Sequence, residues 1–348
     1  MLNGIVVAEF GRIFSAPLAG MILSDLGARV IKIERKGTGD ESRHYGMKIG
    51  DNLSDYFYAL NRGKEIIGLD LKNGEDLSAA KNILAGADVL IHNSLQKSFD
   101  ALGLSYEAVR EINPRIIYAS ISGYGGESRF KNTPSQDVTI QGLSGFMSLN
   151  GFSDDTPLKT GVPVIDYATG QHAVIGILAA LMEREKTGKG RRVAVSLLES
   201  AISMTLVEAV RYLNTGVIAG RNGNRHTSIA PYNSYKARDG YVVIAIANDA
   251  MFERFADALE MDAEGFETNE LRLSKIDMLE DIINEKAKKF TVNELVSLLK
   301  INKVSCAPIN NIAQALGSRE VRALDLIGQT DGVKYVKTPI NFILPDNR

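Results

Sequence analysis

The sequence predicts an α/β fold with a parallel sheet, and three observations carry that expectation. Short apolar runs recur at Ile5 to Phe10, Arg29 to Glu34, Asp88 to His92 and Arg115 to Ser122. Segments of helical period stand between them, the pattern of strands joined by crossover helices that cover both faces of a sheet. In the last third the pattern changes to one clear strand followed by charged amphipathic helices, which predicts a second, smaller α+β domain.

The elements follow in order. Ile5 to Phe10 ends near Gly11, as a buried parallel strand would. Pro17 stands where a first helical turn tolerates proline, and Leu18, Met21, Ile22 and Leu26 follow at helical spacing. Gly27 closes that helix, and RVIKIE, Arg29 to Glu34, is the second strand. Ala79 to Leu84 leads into Asp88 to His92, and Tyr106 to Ile112 leads into Arg115 to Ser122. Asp166 to Lys186 reads as one long helix with Ala173, Ile177, Ala180 and Leu181 on its apolar side, ended by Gly188 and Gly190. Arg192 to Ser196 is strand-like and Leu198 to Leu213 helical. Gly, Asn and Arg dominate from Asn214 to Arg225, as in a linker. Gly240 to Ala247 is a strand, and helices follow at Ala250 to Leu259, Arg272 to Lys288 and Val292 to Leu299. The expected domains are residues 1–213, a linker 214–225, a small domain 226–308, and a segment 309–348 returning to the first.

Composition narrows the function. The 348 residues carry a net charge of −2, with basic and acidic residues interspersed. No basic face is available for nucleic acid or a membrane surface. No segment is read as long and apolar enough to span a bilayer, and MLNGIVVAEF lacks a basic leader, so the expected location is the cytoplasm. The single cysteine, Cys306, excludes an internal disulfide and a cysteine-based zinc site, and reads as a small core residue.

Among catalytic motifs, several are missing. Glu34 sits where a dinucleotide-binding fold places its ribose carboxylate, but the turn after the first strand is GRIFSAP rather than GxGxxG. Phe14 and Pro17 obstruct the close backbone approach that pyrophosphate requires. There is no Walker loop and no GxSxG elbow. His44, His92, His172 and His226 are scattered without ligand spacing, so no metal site is expected. Carboxylate chemistry remains. Asp166 follows the apolar GVPVI and opens a helix, where free N–H groups and the dipole favour an ionised carboxylate. By spacing alone, Asp166 reads as no more than a helix cap.

The motifs in order are more specific. LNGIVVAEFGRIFSAPLAGMILSDLGARVIKIERKGTGDESR opens the chain, followed by NRGKEIIGLDLKNGED, ADVLIHN, GLSYEAVREINPRIIYASISGYG and GLSGFMSLNG. Then come TGVPVIDYATGQHAVIGILAALMEREKTGKGRRVAVSLLESA, IAPYNSYKARDGYVVIAIANDAMFERF and CAPINNIAQAL. Over nearly its whole length the chain resembles the class III CoA-transferases, a family that also contains the α-methylacyl-CoA racemases. The resemblance implies a Rossmann-like large domain, a small domain and an interlocked homodimer. It implies coenzyme A, as acyl-CoA substrate, with a carboxylic acid acceptor and no metal. Asp166 falls on the family's catalytic aspartate, which carries mixed-anhydride and aspartyl-CoA thioester intermediates.

By the same resemblance, Arg12, Ile13, Arg35, Leu69, Lys72, Asn93 and Ser94 contact CoA. Gln136, Tyr45, Asn248 and Phe14 line the substrate pocket. Relative to formyl-CoA transferase, Ala101 replaces a basic CoA contact, Tyr45 a tryptophan and Phe14 a glutamine, while Gly220 to His226 replaces a glycine-rich lid. These departures count against formyl-CoA and oxalate as substrates. Two alternatives remain. A racemase needs acid/base groups on both faces of its substrate, and the family's racemases have a His-Asp pair at Gln136-Asp137 and a glutamate at Ala247-Asn248-Asp249. Gln136 and Asn248 cannot exchange a proton at neutral pH. A CoA-binding homologue without turnover is the second alternative, and the retained Asp166 argues against it.

Overall fold

The computed structural model describes residues 1–49 and 53–343. Contacts divide the chain into two units: residues 1–148, 158–219 and 325–348 form the larger, and 149–157 with 220–324 the smaller.

In the larger unit, six strands form one parallel sheet. They are β1 (Val6–Phe10), β2 (Arg29–Arg35), β3 (Glu65–Leu69), β4 (Val89–His92), β5 (Ile117–Ser122) and β6 (Arg191–Ser196), in the order β3-β2-β1-β4-β5-β6. Central strands are buried on both faces, so alternate residues enter different cores. Val7, Val30, Val89, Ile91 and Ile117 face one core, and Ala8, Phe10, Ile33, Leu90 and Tyr118 the other. The sequence reading missed β3, an edge strand. Glu65, Ile66 and Gly68 are exposed, so EIIGL shows no buried run. The strand order places a switch point between β1 and β4, where the chain turns first one way and then the other. Ligands of such sheets bind in the crevice beyond the strand ends at that point.

The helices are α1 (Ser15–Asp25), α2 (Asp55–Asn61), α3 (Gly74–Ala85), α4 (Gln96–Asp100), α5 (Tyr106–Ile112), α6 (Asp137–Leu143), α7 (Val164–Thr187), α8 (Leu197–Met204) and α9 (Leu206–Thr215). The single helix expected over Leu198 to Leu213 is broken at Thr205. Its backbone N–H and hydroxyl both donate to the carbonyl of Ile202, ending α8. Helix α7 corrects a second expectation. Its 24 residues are long and apolar enough to cross a membrane by length and composition alone. Here Ile165, Ala173, Val174, Ile177, Ala180 and Leu181 are buried in the core of the unit.

The smaller unit has an antiparallel sheet in the order β9-β8-β7, built from β7 (Tyr232–Lys236), β8 (Tyr241–Ala245) and β9 (Ser305–Pro308). Helices α10 (Asp249–Ala258), α11 (Asn269–Ser274), α12 (Ile276–Ala287) and α13 (Val292–Ile301) accompany it. The expected helix Arg272 to Lys288 is interrupted at Lys275, whose φ of −121° and ψ of 30° lie outside the helical region. Arg272 is fully buried, donating to the carbonyls of Ala230 and Phe266 and pairing with Asp249 at 2.5 Å.

The unit boundaries differ from the sequence reading at loop 149–157, at the linker 214–225, which is divided after Ala219, and at residues 309–324. Loop 149–157 joins the smaller unit because Arg221 donates to the carbonyls of Phe152, Ser153 and Asp155, and Gly223 N–H to Gly151. Residues 309–324, with α14 (Ile312–Gly317) and α15 (Arg319–Ala323), also stay there, and the segment from Asp325, with the hairpin β10 (Ile327–Thr330) and β11 (Val333–Val336), belongs to the larger unit. Asp25 anchors the return by accepting from the Thr338 N–H and hydroxyl.

Candidate active site

The first loop is built by a buried charge cluster. Lys32, Glu9 and Asp40 are essentially unexposed, with Lys32 Nζ 3.1 Å from Glu9 and 3.0 Å from Asp40. Lys64 Nζ lies 2.7 Å from the second Glu9 oxygen. Burial pulls the Lys32 ammonium down in proton affinity, but Glu9 and Asp40 more than offset it and the net direction is up. The cluster fixes the loop backbone. Lys32 donates to the Gly11 carbonyl at 2.7 Å, and Asp40 accepts from the Ile13 N–H at 3.2 Å. Ile13 is held at φ 67°, a region that β-branched residues avoid.

Across the switch point, the Asn93 side chain accepts from the Arg12 N–H at 2.9 Å and donates to the Arg12 carbonyl at 2.8 Å. The β1 and β4 ends are thereby tied together. Arg12, Arg35, Leu69, Lys72 and Ser94 line one cavity of about 420 Å³ beyond the ends of β1, β2, β3 and β4. Glu34, read as a possible ribose ligand, is engaged instead by Arg43 Nε at 2.8 Å and by the Asp40 N–H.

Asp166 lines an adjoining cavity of about 530 Å³ together with Arg12, Ile13, Phe14, Tyr45, Asn93 and Gln136. Phe14, Tyr56 and Tyr45 form an aromatic wall, with ring centroids 6.0 Å and 5.7 Å apart. Asn248 lies in the smaller unit, where its side chain caps α10 by accepting from the Met251 N–H. Ala101 ends α4. His92 is buried and stacked on Phe99 at 4.2 Å, and burial drives its proton affinity down to about 3, so it stays neutral.

Asp166 is the third residue of α7, not its cap. Pro163 occupies the cap position and offers no side-chain acceptor. The Ile165 and Asp166 N–H groups donate instead to Asp137 Oδ2, at 2.8 and 3.1 Å. Asp137 Oδ1 accepts from the side chain of Gln141, which also binds Thr160 N–H at 3.0 Å. α7 can approach the first loop because residue 170 is glycine. A Cβ there would lie 2.8 Å from the Ser15 carbonyl oxygen and 2.9 Å from the Leu18 side chain. Burial first, and Asp137 second, push the Asp166 carboxyl up to about 7, with the Ser15 hydroxyl opposing. Tyr56 is pushed up to about 12 by burial and then by Asp166, Tyr45 and Asp137.

The sequence reading did not single out Tyr56, Ser15 or Lys159, which line the same cavity, or Asp137 as a partner of Asp166. The one local signal is the Asp137 and Gln141 pair at helical i,i+4 spacing. Chemically, the site offers a half-buried carboxylate of raised basicity at the end of a helix, beside a crevice with cations Arg12, Arg35 and Lys72 suited to an anionic ligand.

A succinate–glutarate CoA-transferase of Agrobacterium fabrum is 35% identical, over 97% of this chain and 88% of its own length. An acetyl-CoA:oxalate CoA-transferase of Acetobacter aceti is 33% identical, over 97% and 88%. The crystal structure of a CAIB/BAIF family protein from Brucella suis superposes with a TM-score of 0.91 at 34% identity, covering 98% of this chain and 92% of that one. A family model described as CoA-transferase family III matches residues 2–344, and the chain accordingly belongs to that family of CoA-transferases.

Proposed function

We propose that this enzyme moves CoA from an acyl-CoA donor to a carboxylic acid through Asp166. An Asp166 oxygen attacks the thioester carbonyl, the C–S bond breaks, and CoA leaves as thiolate from a mixed anhydride. The thiolate then attacks the aspartyl carbonyl, giving an aspartyl-CoA thioester and the free donor acid. The acceptor carboxylate repeats the sequence in reverse and leaves as its CoA thioester, restoring Asp166. The observation that carries this reading is the Asp166 carboxyl, raised to about 7 and lining a cavity that shares Arg12 with the cation-lined crevice. Arg35 and Lys72 are assigned to the phosphates of CoA. Arg12, Ile13, Asn93 and Ser94 are assigned to its course toward Asp166, and Leu69 to its adenosine end.

The acceptor is assigned as a dicarboxylic acid. The relatives named above carry glutarate, succinate or oxalate in their names, and Arg12 and Lys159 are cations on the cavity wall. Phe14, Tyr45 and Gln136 are assigned to the acyl pocket. The active form is assigned as an interlocked homodimer. The side chains of Leu206, Val207, Val210 and Leu213 on α9 are more than half exposed in the single chain, which suits cover by a second copy. A racemase reading gains no support from the site. Asn248 is a helix cap and Asp249 pairs with buried Arg272, so neither is placed as an acid/base group.

Intact-mass analysis after mixing with succinyl-CoA and quenching in hydroxylamine tests the proposal. Wild-type enzyme is expected to carry a hydroxamate at Asp166, whereas Asp166→Ala carries none and still binds CoA within a few-fold. Absence of an adduct across a panel of thioesters, with rapid exchange of the α-proton of a 2-methylacyl-CoA, would establish the racemase instead.

A further inference from the structure

We propose that Asp137 is a positioning residue for Asp166: as the external cap of α7 it holds a fixed negative charge beside the nucleophile, favouring the acylated forms of Asp166 over its free carboxylate. This rests on the transferase reading of Asp166.

The geometry comes from a missing cap. A helix start leaves its first N–H groups without partners, and a proline at the cap position cannot satisfy them. Asp137 Oδ2 takes the N–H groups of Ile165 and Asp166 from α6, a separate helix. A carboxyl at the third helical position often folds back to help cap its own helix. Pro163 at the cap has no N–H for such a fold-back, and the Asp166 side chain lines the cavity. The other Asp137 oxygen accepts from Gln141, which is fully buried and is itself held by Thr160. Three donors thus converge on the two oxygens of Asp137, matching an acceptor-only carboxylate.

The remaining titratable and charged groups on this cavity are Tyr56 of α2, Tyr45, Arg12 of the first loop and Lys159 of the loop before α7. Arg12 is paired with Glu41 at 2.8 Å, and the Lys159 ammonium donates to the Thr160 carbonyl. Asp137 is therefore the acid fixed by hydrogen bonds to the same helix turn as the nucleophile, and its charge is the second cause, after burial, of the raised Asp166 proton affinity.

The consequence follows the charge. When Asp166 attacks the thioester, the negative charge leaves Asp166 and appears on the CoA sulfur. The repulsion from Asp137 is relieved on acylation and returns only when the carboxylate is regenerated. Asp137 thus biases the equilibrium toward the covalent enzyme without touching substrate.

The test combines a carboxyl titration with a trapping experiment. ¹³C-aspartate NMR of the resting enzyme, assigned with Asp166→Asn, is expected to show Asp166 titrating near neutrality. In Asp137→Asn that titration is expected to fall by about one pH unit or more, and the fraction trapped by hydroxylamine from succinyl-CoA to fall ~10-fold. Asp137→Glu, which keeps the charge, is expected to restore both in part. An unchanged Asp166 titration in Asp137→Asn overturns the proposal. If Asp137→Asn does not fold, wild type alone decides, because assignment of the neutral-range titration to Asp137 also overturns it. The titration needs no turnover, so failure of the transferase reading, seen as no trapped adduct in wild type, is distinguished from failure of this one.

Discussion

Asp166 is an acid whose surroundings favour its proton, and pH dependence follows from that. In the proposed mechanism the ionised form is the nucleophile, so kcat/KM is expected to rise with pH through about 7 and level off above it, readable from a pH-rate profile. The same shift has a stability sign. The folded state holds the proton between the ordinary value of 3.8 and about 7, while the unfolded chain does not, so stability falls as pH rises across that window. Asp166→Asn removes the effect. It is expected to stabilise the enzyme at pH 8, by up to about 4 kcal/mol if the full shift counts, with no gain below pH 4. Urea unfolding at the two pH values checks this, and an equal effect at both would sink it. Asp166 itself, the proposed nucleophile, was legible from the motif around GVPVID. Its partner was not, because Asp137 and Asp166 meet through space across 29 residues of chain.

At the scale of elements, two constructions support the loop between β1 and α1. The first is the close packing of α7 on α1, which a methyl group at residue 170 would force apart. Gly170→Ala is expected to cost about 1–3 kcal/mol in unfolding free energy and to lower kcat, as α7 carries Asp166 away from the first loop. The second is the cluster of Lys32 with Glu9 and Asp40. Lys32→Met leaves two buried carboxylates without their shared cation and is expected to cost about 3–5 kcal/mol in urea unfolding. Periodicity read the long elements well: α7 and the central strands β1, β2, β4 and β5 are strongly patterned by burial. It failed where burial is slight or a local hydrogen bond intervenes. The edge strand β3 has too few buried residues to show a pattern, and Thr205 breaks α8 from α9 with its own hydroxyl.

For the whole molecule, the exposed apolar side chains of α9 are what support the proposed dimer. No residue of α9 is buried, and Leu213 is 78% exposed. Light scattering on the purified enzyme is expected to return a dimer, and Leu213→Glu to shift it toward monomer with loss of activity. A wild-type monomer with full activity would remove the dimer from the proposal. Each unit carries its own core, around Ile91, Ile117 and Ile177 in the larger and around Tyr235, Phe252 and Ile283 in the smaller.

By itself the sequence determined the α/β class and the family, and it singled out Asp166 and residues at the ends of β1 and β4 for the proposed chemistry, because burial period and ordered motifs are properties of neighbouring residues. Only the tertiary structure decided that Asp166 is capped from another helix, that Glu34 is occupied by Arg43, that loop 149–157 belongs with Arg221, and that a buried lysine holds the strained Ile13 loop. Each depends on a side chain meeting a group distant in the chain. Such pairings arise from packing and hydrogen-bond satisfaction in three dimensions, and no local pattern in the chain records them.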